Sequence, residues 1–211
     1  MDPIARAMFS ASFQLQPGQA LEGGYFAGYI SHTADGNATH ALIVAPAASG
    51  YNGGALLQWK TTNTSTSGTS SEYDGAANTA NMADASHPAA NYCDGLSIGG
   101  YSDWYLPARY ELEIAYYNLK PTTITNSTSF GSNTYAVPLR ESNYTAGDPA
   151  QTSVAAFQTG GAEAFESGFH RSSTESSSTE AWILSFNSGF ESGSIKKTVS
   201  YEVRAFRKIA L

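Results

Sequence analysis

Gly99 to Leu119, GGYSDWYLPARYELEIAYYNL, constrains the fold of this chain more than any other run. Gly99-Gly100 interrupts whatever precedes it, and Tyr101, Trp104 and Leu106 then place three large apolar side chains close together. Pro107 follows, with a fixed φ that suits the first turn of a helix, where its missing N–H costs nothing. Leu112, Ala115, Tyr116 and Leu119 fall at i, i+3, i+4 and i+7, the apolar stripe of an amphipathic helix. Arg109, Glu111, Glu113 and Asn118 fall mainly off that stripe, and the two glutamates sit early, where negative charge favours the helix dipole. Lys120-Pro121 ends the helix. Trp104 and Leu106 read as core, so the run specifies a scaffold and leaves the chemistry open.

The rest of the chain must build a surface with few charges. Of 211 residues, 14% are charged, against about 25% in ordinary domains. Ser, Thr, Asn, Gly and Tyr carry the exterior instead, a composition shared by loop-rich extracellular β proteins and by adaptable binding surfaces. The formal net charge of −7 and the lack of a basic patch beyond Lys196-Lys197 and the Arg204-to-Lys208 end disfavour nucleic acid as a partner. Cys93 is alone, which excludes a disulfide framework or a cysteine zinc site within the chain. No apolar run is long enough to span a bilayer, so no membrane insertion is expected. No linker divides the chain. Residues 1–20 are expected to be a lead-in segment, and residues 21–211 one domain.

Gly24–Ile30 and His40–Pro46, separated by the turn Ala34-Asp35-Gly36-Asn37, predict a β-hairpin. A short strand is expected over Ala55–Lys60, and an exposed loop, or an edge strand paired in an oligomer, over Thr61–Ser71. Asp74–Leu96 predicts a helix interrupted near Ser86-His87-Pro88 and stopped at Gly95, with Cys93 facing the core. Thr122–Thr152 is long and polar; such a segment inside a compact domain is usually functional or disordered, and an ordered, exposed insertion is expected. A short helix is expected around Ala162–Phe165. Three strands close the chain: Ala181–Phe186, Phe190–Lys197 and Val199–Phe206, the last with Tyr201, Val203 and Ala205 toward the core and Glu202 and Arg204 opposite.

No constellation for catalysis emerges. The histidines His32, His40, His87 and His170 stand outside any H-E-x-x-H pattern, and neither a G-x-S-x-G elbow nor a phosphate loop is present. Glu163, Glu166, Glu175 and Glu180 are too loosely spaced to single out a glycosidase pair. The chain is therefore read as a non-enzyme without cofactor. No dense acidic loop marks a metal site, and a calcium ion held by scattered Asp, Asn and backbone oxygens stays open. The binding candidates are the aromatic and polar residues of expected loops and turns: Tyr51, Tyr135, Tyr144, His170, Arg171 and Phe190.

The motif G-G-Y-S-D-W-Y-L-P-x-R-x-E-L-E, joined by Ser172-Ser173-Thr174-Glu175, Ala181-Trp182 and Val203-Arg204-Ala205-Phe206-Arg207, resembles the signature of the DUF1566, or Lcl C-terminal, domain across roughly Tyr25 to Lys208. The resemblance implies an α+β, C-type-lectin-like fold: two helices packed on small antiparallel sheets, with long ordered loops. Trp104, Leu106, Pro107, Glu111, Ser173, Glu175, Trp182 and Arg204 would be its structural signature. The early G-Y-x-A-G-x-I and A-L-I-V-A-P runs are similar to those of bacteriophage tail-fibre tips. This implies a homotrimeric receptor-binding protein on the virion tail fibre, with residues 1–20 a lead-in or the end of an upstream fibre, partnered by other tail proteins and by a bacterial surface glycan, lipopolysaccharide or pilus protein. A secreted or cell-surface polysaccharide-binding adhesin is the alternative. A formylglycine-type enzyme, dependent on Cys93, is the third reading. Two departures stand out. Ala108 replaces the Ser or Thr that would complete a capping box with Glu111, which predicts a helix start weaker by about 1 kcal/mol. His170-Arg171 replaces an aromatic pair.

Overall fold

The computed structural model of the protein describes residues 15–211. The expected lead-in lies mostly outside the described residues, but Gly18 N–H donates to Phe26 O and Phe26 N–H to Gln19 O, so the sheet already begins there. Strand β1 (Ala20–Leu21) pairs antiparallel with β2 (Gly24–Ile30), and β2 with β3 (His40–Val44), the expected hairpin. The single-turn helix α1 (Ala47–Gly50), β4 (Leu57–Gln58), α2 (Gly75–Ala80), α3 (Pro88–Asp94) and α4 (Arg109–Leu119) follow. β5 (Ala136–Val137) adds to the free edge of β2 near its end. After a 3-10 turn at Ala155–Phe157 come β6 (Phe169–Glu175), β7 (Glu180–Ser185) and β8 (Glu191–Lys196), which form a three-stranded antiparallel sheet. β9 (Ser200–Tyr201) pairs with β4, and β10 (Phe206–Ala210) returns antiparallel to β3, beside the N-terminal hairpin. The architecture is thus mixed α and β, with antiparallel sheets and four helices among the described residues.

The helices arise as their sequences dictate, with one refinement. Asp74 caps α2 by accepting from Ala77 N–H at 3.0 Å, and Pro88 opens α3 after an extended His87. The expected interrupted helix is therefore two separate helices, stopped at Gly95 as the sequence implies. In α4 the predicted stripe is buried, and so are Glu111, held by Tyr105, Ala108 and Gly75, Ile114, packed against β2, and Glu113, over which segment 122–152 folds.

Two apolar clusters result. One gathers α4 with β2 and β3 and includes Tyr116, Phe157, Phe165, Phe186 and Phe206; the other surrounds Trp59 and Trp104. The chain threads between them near its end, and this overturns two strand expectations. Val199–Phe206 is not one strand but β9, a crossing and β10. Arg204, expected opposite the core, is buried with Val203 and Ala205 because both sides of the crossing are covered. No helix forms at Ala162–Phe165, a stretch that makes turns and delivers Phe165 to the core.

Candidate functional site

The signature residues hold the scaffold from inside. Glu111 Oε2 accepts from the N–H of Ala108 at 2.7 Å and of Gly75 at 3.2 Å, while Oε1 accepts from the Tyr105 hydroxyl at 2.8 Å. Burial pushes this carboxyl up to about 7. The cap absent at Ala108 is supplied from elsewhere: Arg109 N–H donates to Thr174 Oγ1 at 3.1 Å, and Tyr110 N–H to Glu72 O at 2.8 Å. Ser173 accepts from Asn78 Nδ2 at 3.0 Å and bonds by its N–H to Pro107 O, which ties β6 to both α2 and the start of α4. Glu175 accepts from Ser65, Thr66 and Thr69 and pairs with the fully buried Lys197. The loop Thr61–Ser71 is largely exposed, as expected, but this carboxylate anchors it. Trp182 is half-buried, with the Arg109 guanidinium 3.7 Å over its ring. Arg204 donates to Ala45 O, Glu163 O and Glu163 Oε2.

The binding candidates do not form one rim. Three of them are buried, which corrects the expectation. Tyr144 lies beneath its loop, because its hydroxyl donates to Glu113 Oε1. His170 packs edge-on against Phe165 and tilted against Phe186, two rings that stack on each other; neither of its ring nitrogens has a hydrogen-bond partner among the described residues, and burial drives its pKa down to about 3. Arg171 is 1% exposed and donates to the carbonyls of Ala181, Lys196 and Val199, joining β7, β8 and the turn that follows. The other three reach the surface at separate places. The half-buried Tyr51 donates to Glu202 at 2.5 Å, Tyr135 stacks on Tyr73 with ring centres 4.4 Å apart, and Phe190 is 40% exposed beside Phe130 and Phe169.

An open depression lies on the segment expected to be an ordered insertion, which is ordered as expected but partly buried against α4. On α4, Tyr110, Glu113 and Tyr117 share one face at i, i+3 and i+7, and segment 131–145 covers it. Glu113 is fully buried, and its carboxylate receives Arg140 Nη2, Asn133 Nδ2 and the Tyr144 hydroxyl. Burial and the neighbouring Glu113 push the Tyr144 phenol far above its ordinary range, so it stays a donor. The backbone is fixed as well: Asn133 N–H donates to Arg140 O at 2.7 Å, and Tyr144 N–H to Phe130 O at 2.7 Å.

Arg140 and Tyr144 thus both point inward, and the three residues between them bow outward. Glu141, Ser142 and Asn143 are exposed, and none of their side chains has a hydrogen-bond partner among the described residues. They border a depression of about 620 Å³, walled also by Tyr117, Leu139 and Asp148. Tyr117 carries the Arg140 guanidinium 4.2 Å over its ring. Leu139 is 40% exposed and supplies an apolar wall. Such a volume lies in the range of small-ligand sites. Apart from Tyr144, these residues were not singled out by sequence. The in–out alternation that exposes them follows from Glu113 on a distant helix, and no local periodicity announces it.

The other arginines and lysines near the ends of elements are engaged in structural ion pairs. Arg109 joins Glu72 and Glu191, Arg207 joins Asp103 and Glu22, and Lys208 joins Asp74. Cys93 is fully buried in the second apolar cluster, and burial raises its thiol well above the ordinary range, against thiolate formation. Among the described residues no group of three or more His, Cys, Asp or Glu stands close enough to hold a metal ion. No helix among them is long and apolar enough to cross a membrane. No family model matches the chain, and no curated protein matches it.

Proposed function

We propose that this chain is an attachment module: the tip of a bacteriophage tail fibre, which recognises a receptor on the bacterial surface through a C-type-lectin-like scaffold. The observation that carries the reading is the arch at 140–144. Three consecutive polar side chains without internal partners stand over a depression, on a backbone pinned at both ends to a buried carboxylate. Groups ordered in advance lose little freedom on binding, which favours recognition. The signature residues support the scaffold half of the reading, since Glu111, Ser173, Glu175 and Arg204 each tie distant elements together. The working unit is a homotrimer joined to other tail proteins, and sedimentation of the purified chain at three times the mass of one chain is the expected result.

The direct test incubates labelled chain with a panel of bacterial strains. Binding to a subset is expected, with the double variant Ser142→Ala, Asn143→Ala binding those strains at least tenfold more weakly. Binding to no strain, or undiminished binding by the variant, overturns the reading.

A further inference from the structure

The charges around the depression restrict what it takes. Beneath it, Arg140 is matched by the buried Glu113, so its positive charge is already balanced. At its rim, Glu141 has no partner among the described residues, and Asp148 has only a long 3.5 Å contact from the Tyr117 hydroxyl and no cation beside it. The opening is therefore negative, with two exposed carboxylates, one free amide and one free hydroxyl available to a ligand. The other wall is apolar, formed by Leu139 and the flank of Tyr117. A sugar ring presents this combination in complement: C–H faces for an apolar wall, and hydroxyls for carboxylate and amide acceptors.

Resting on the attachment reading, we infer that the depression binds a saccharide that is uncharged or carries free amines, and that it selects against uronic-acid, phosphorylated or sulfated saccharides. Like charges brought together at the rim oppose an anionic ligand, whereas an ammonium group gains from Glu141 and Asp148.

Titration of the full chain with three soluble probes tests this: an oligomer of N-acetylglucosamine, its de-acetylated counterpart, and an oligogalacturonate of similar length. At low salt the amine-bearing oligomer should bind about fivefold more tightly than the acetylated one, as two exposed ion pairs of modest strength allow, and the uronate most weakly. In the variant Glu141→Gln, Asp148→Asn, which leaves every contact of the buried Glu113 in place, the amine preference should vanish. The preference should also shrink in 1 M salt, where screening acts within about 3 Å. Tighter binding of the uronate, or an amine preference that survives in the variant, overturns the inference. Binding of none of the three at millimolar concentration, with attachment to cells intact, overturns the saccharide class alone. Loss of attachment to cells is the separate failure of the attachment reading.

Discussion

Thr174 Oγ1, on β6, accepts the hydrogen bond of the Arg109 backbone N–H at 3.1 Å, so a strand residue from across the domain caps helix α4. The same hydroxyl donates to Ser71 O at 2.8 Å, which joins three segments at one atom. Thr174→Val should therefore destabilise the fold by about 1–2 kcal/mol, the worth of a lost cap. Urea unfolding measures it, and an unchanged midpoint would show that solvent replaces the contact.

The carboxylate of Glu113 is the hub of the arch. Glu113→Ala leaves the Arg140 cation and the Tyr144 hydroxyl without their shared acceptor, and should cost about 3–5 kcal/mol. Asn143→Ala, one residue from Tyr144 but with no internal partner, should stay within about 0.5 kcal/mol of the parent. Thermal unfolding of the two variants side by side checks the contrast.

His170 sets a pH dependence whose sign follows from its burial. Its folded pKa of about 3 lies below the ordinary 6.5, so the unfolded chain takes up a proton first as pH falls. Stability from this group is complete above pH 6.5 and is lost as pH drops toward 3. His170→Leu removes the effect without stranding a partner, since neither ring nitrogen has one. Relative to the parent, the variant should gain about 2 kcal/mol between pH 7.5 and pH 5, from about 1.4 kcal/mol per pH unit below 6.5. Equal differences at the two pH values in denaturant titrations would exclude this.

Cys93→Ala separates attachment from thiol chemistry. The side chain is packed among Trp59, Met82 and Trp104, and its loss should cost about 1 kcal/mol of stability. Binding to bacterial cells should be unchanged. Abolished function in a folded variant would instead favour the formylglycine-type reading.

Much of the scaffold is legible in the sequence because local signals and burial agree. The stripe Leu112, Ala115, Tyr116 and Leu119 packs inward, the first hairpin pairs as expected, and Pro88 and Gly95 bound α3. The misplaced polar residues share one physical cause. Arg171, His170, Arg204 and Glu113 are polar residues buried by partners distant in the chain, and polarity alone reads as exposure. Arg204 needs Glu163 and two backbone carbonyls to be tolerable inside, and none of these is local. The candidate site was legible only as a stretch, Thr122–Thr152. Which of its side chains face outward is decided by the contacts of Arg140 and Tyr144 with α4.

The inward turn of Arg140 and Tyr144 separates what maintains the molecule from what meets the outside world. The side chains of Glu141, Ser142 and Asn143 have no hydrogen-bond partner among the described residues, so exchanging them leaves the interior as it was. Those three positions can be exchanged at little cost in stability, whereas the two that flank them cannot. On the attachment reading, recognition can be retuned at the crest of the arch without disturbing the fold beneath it.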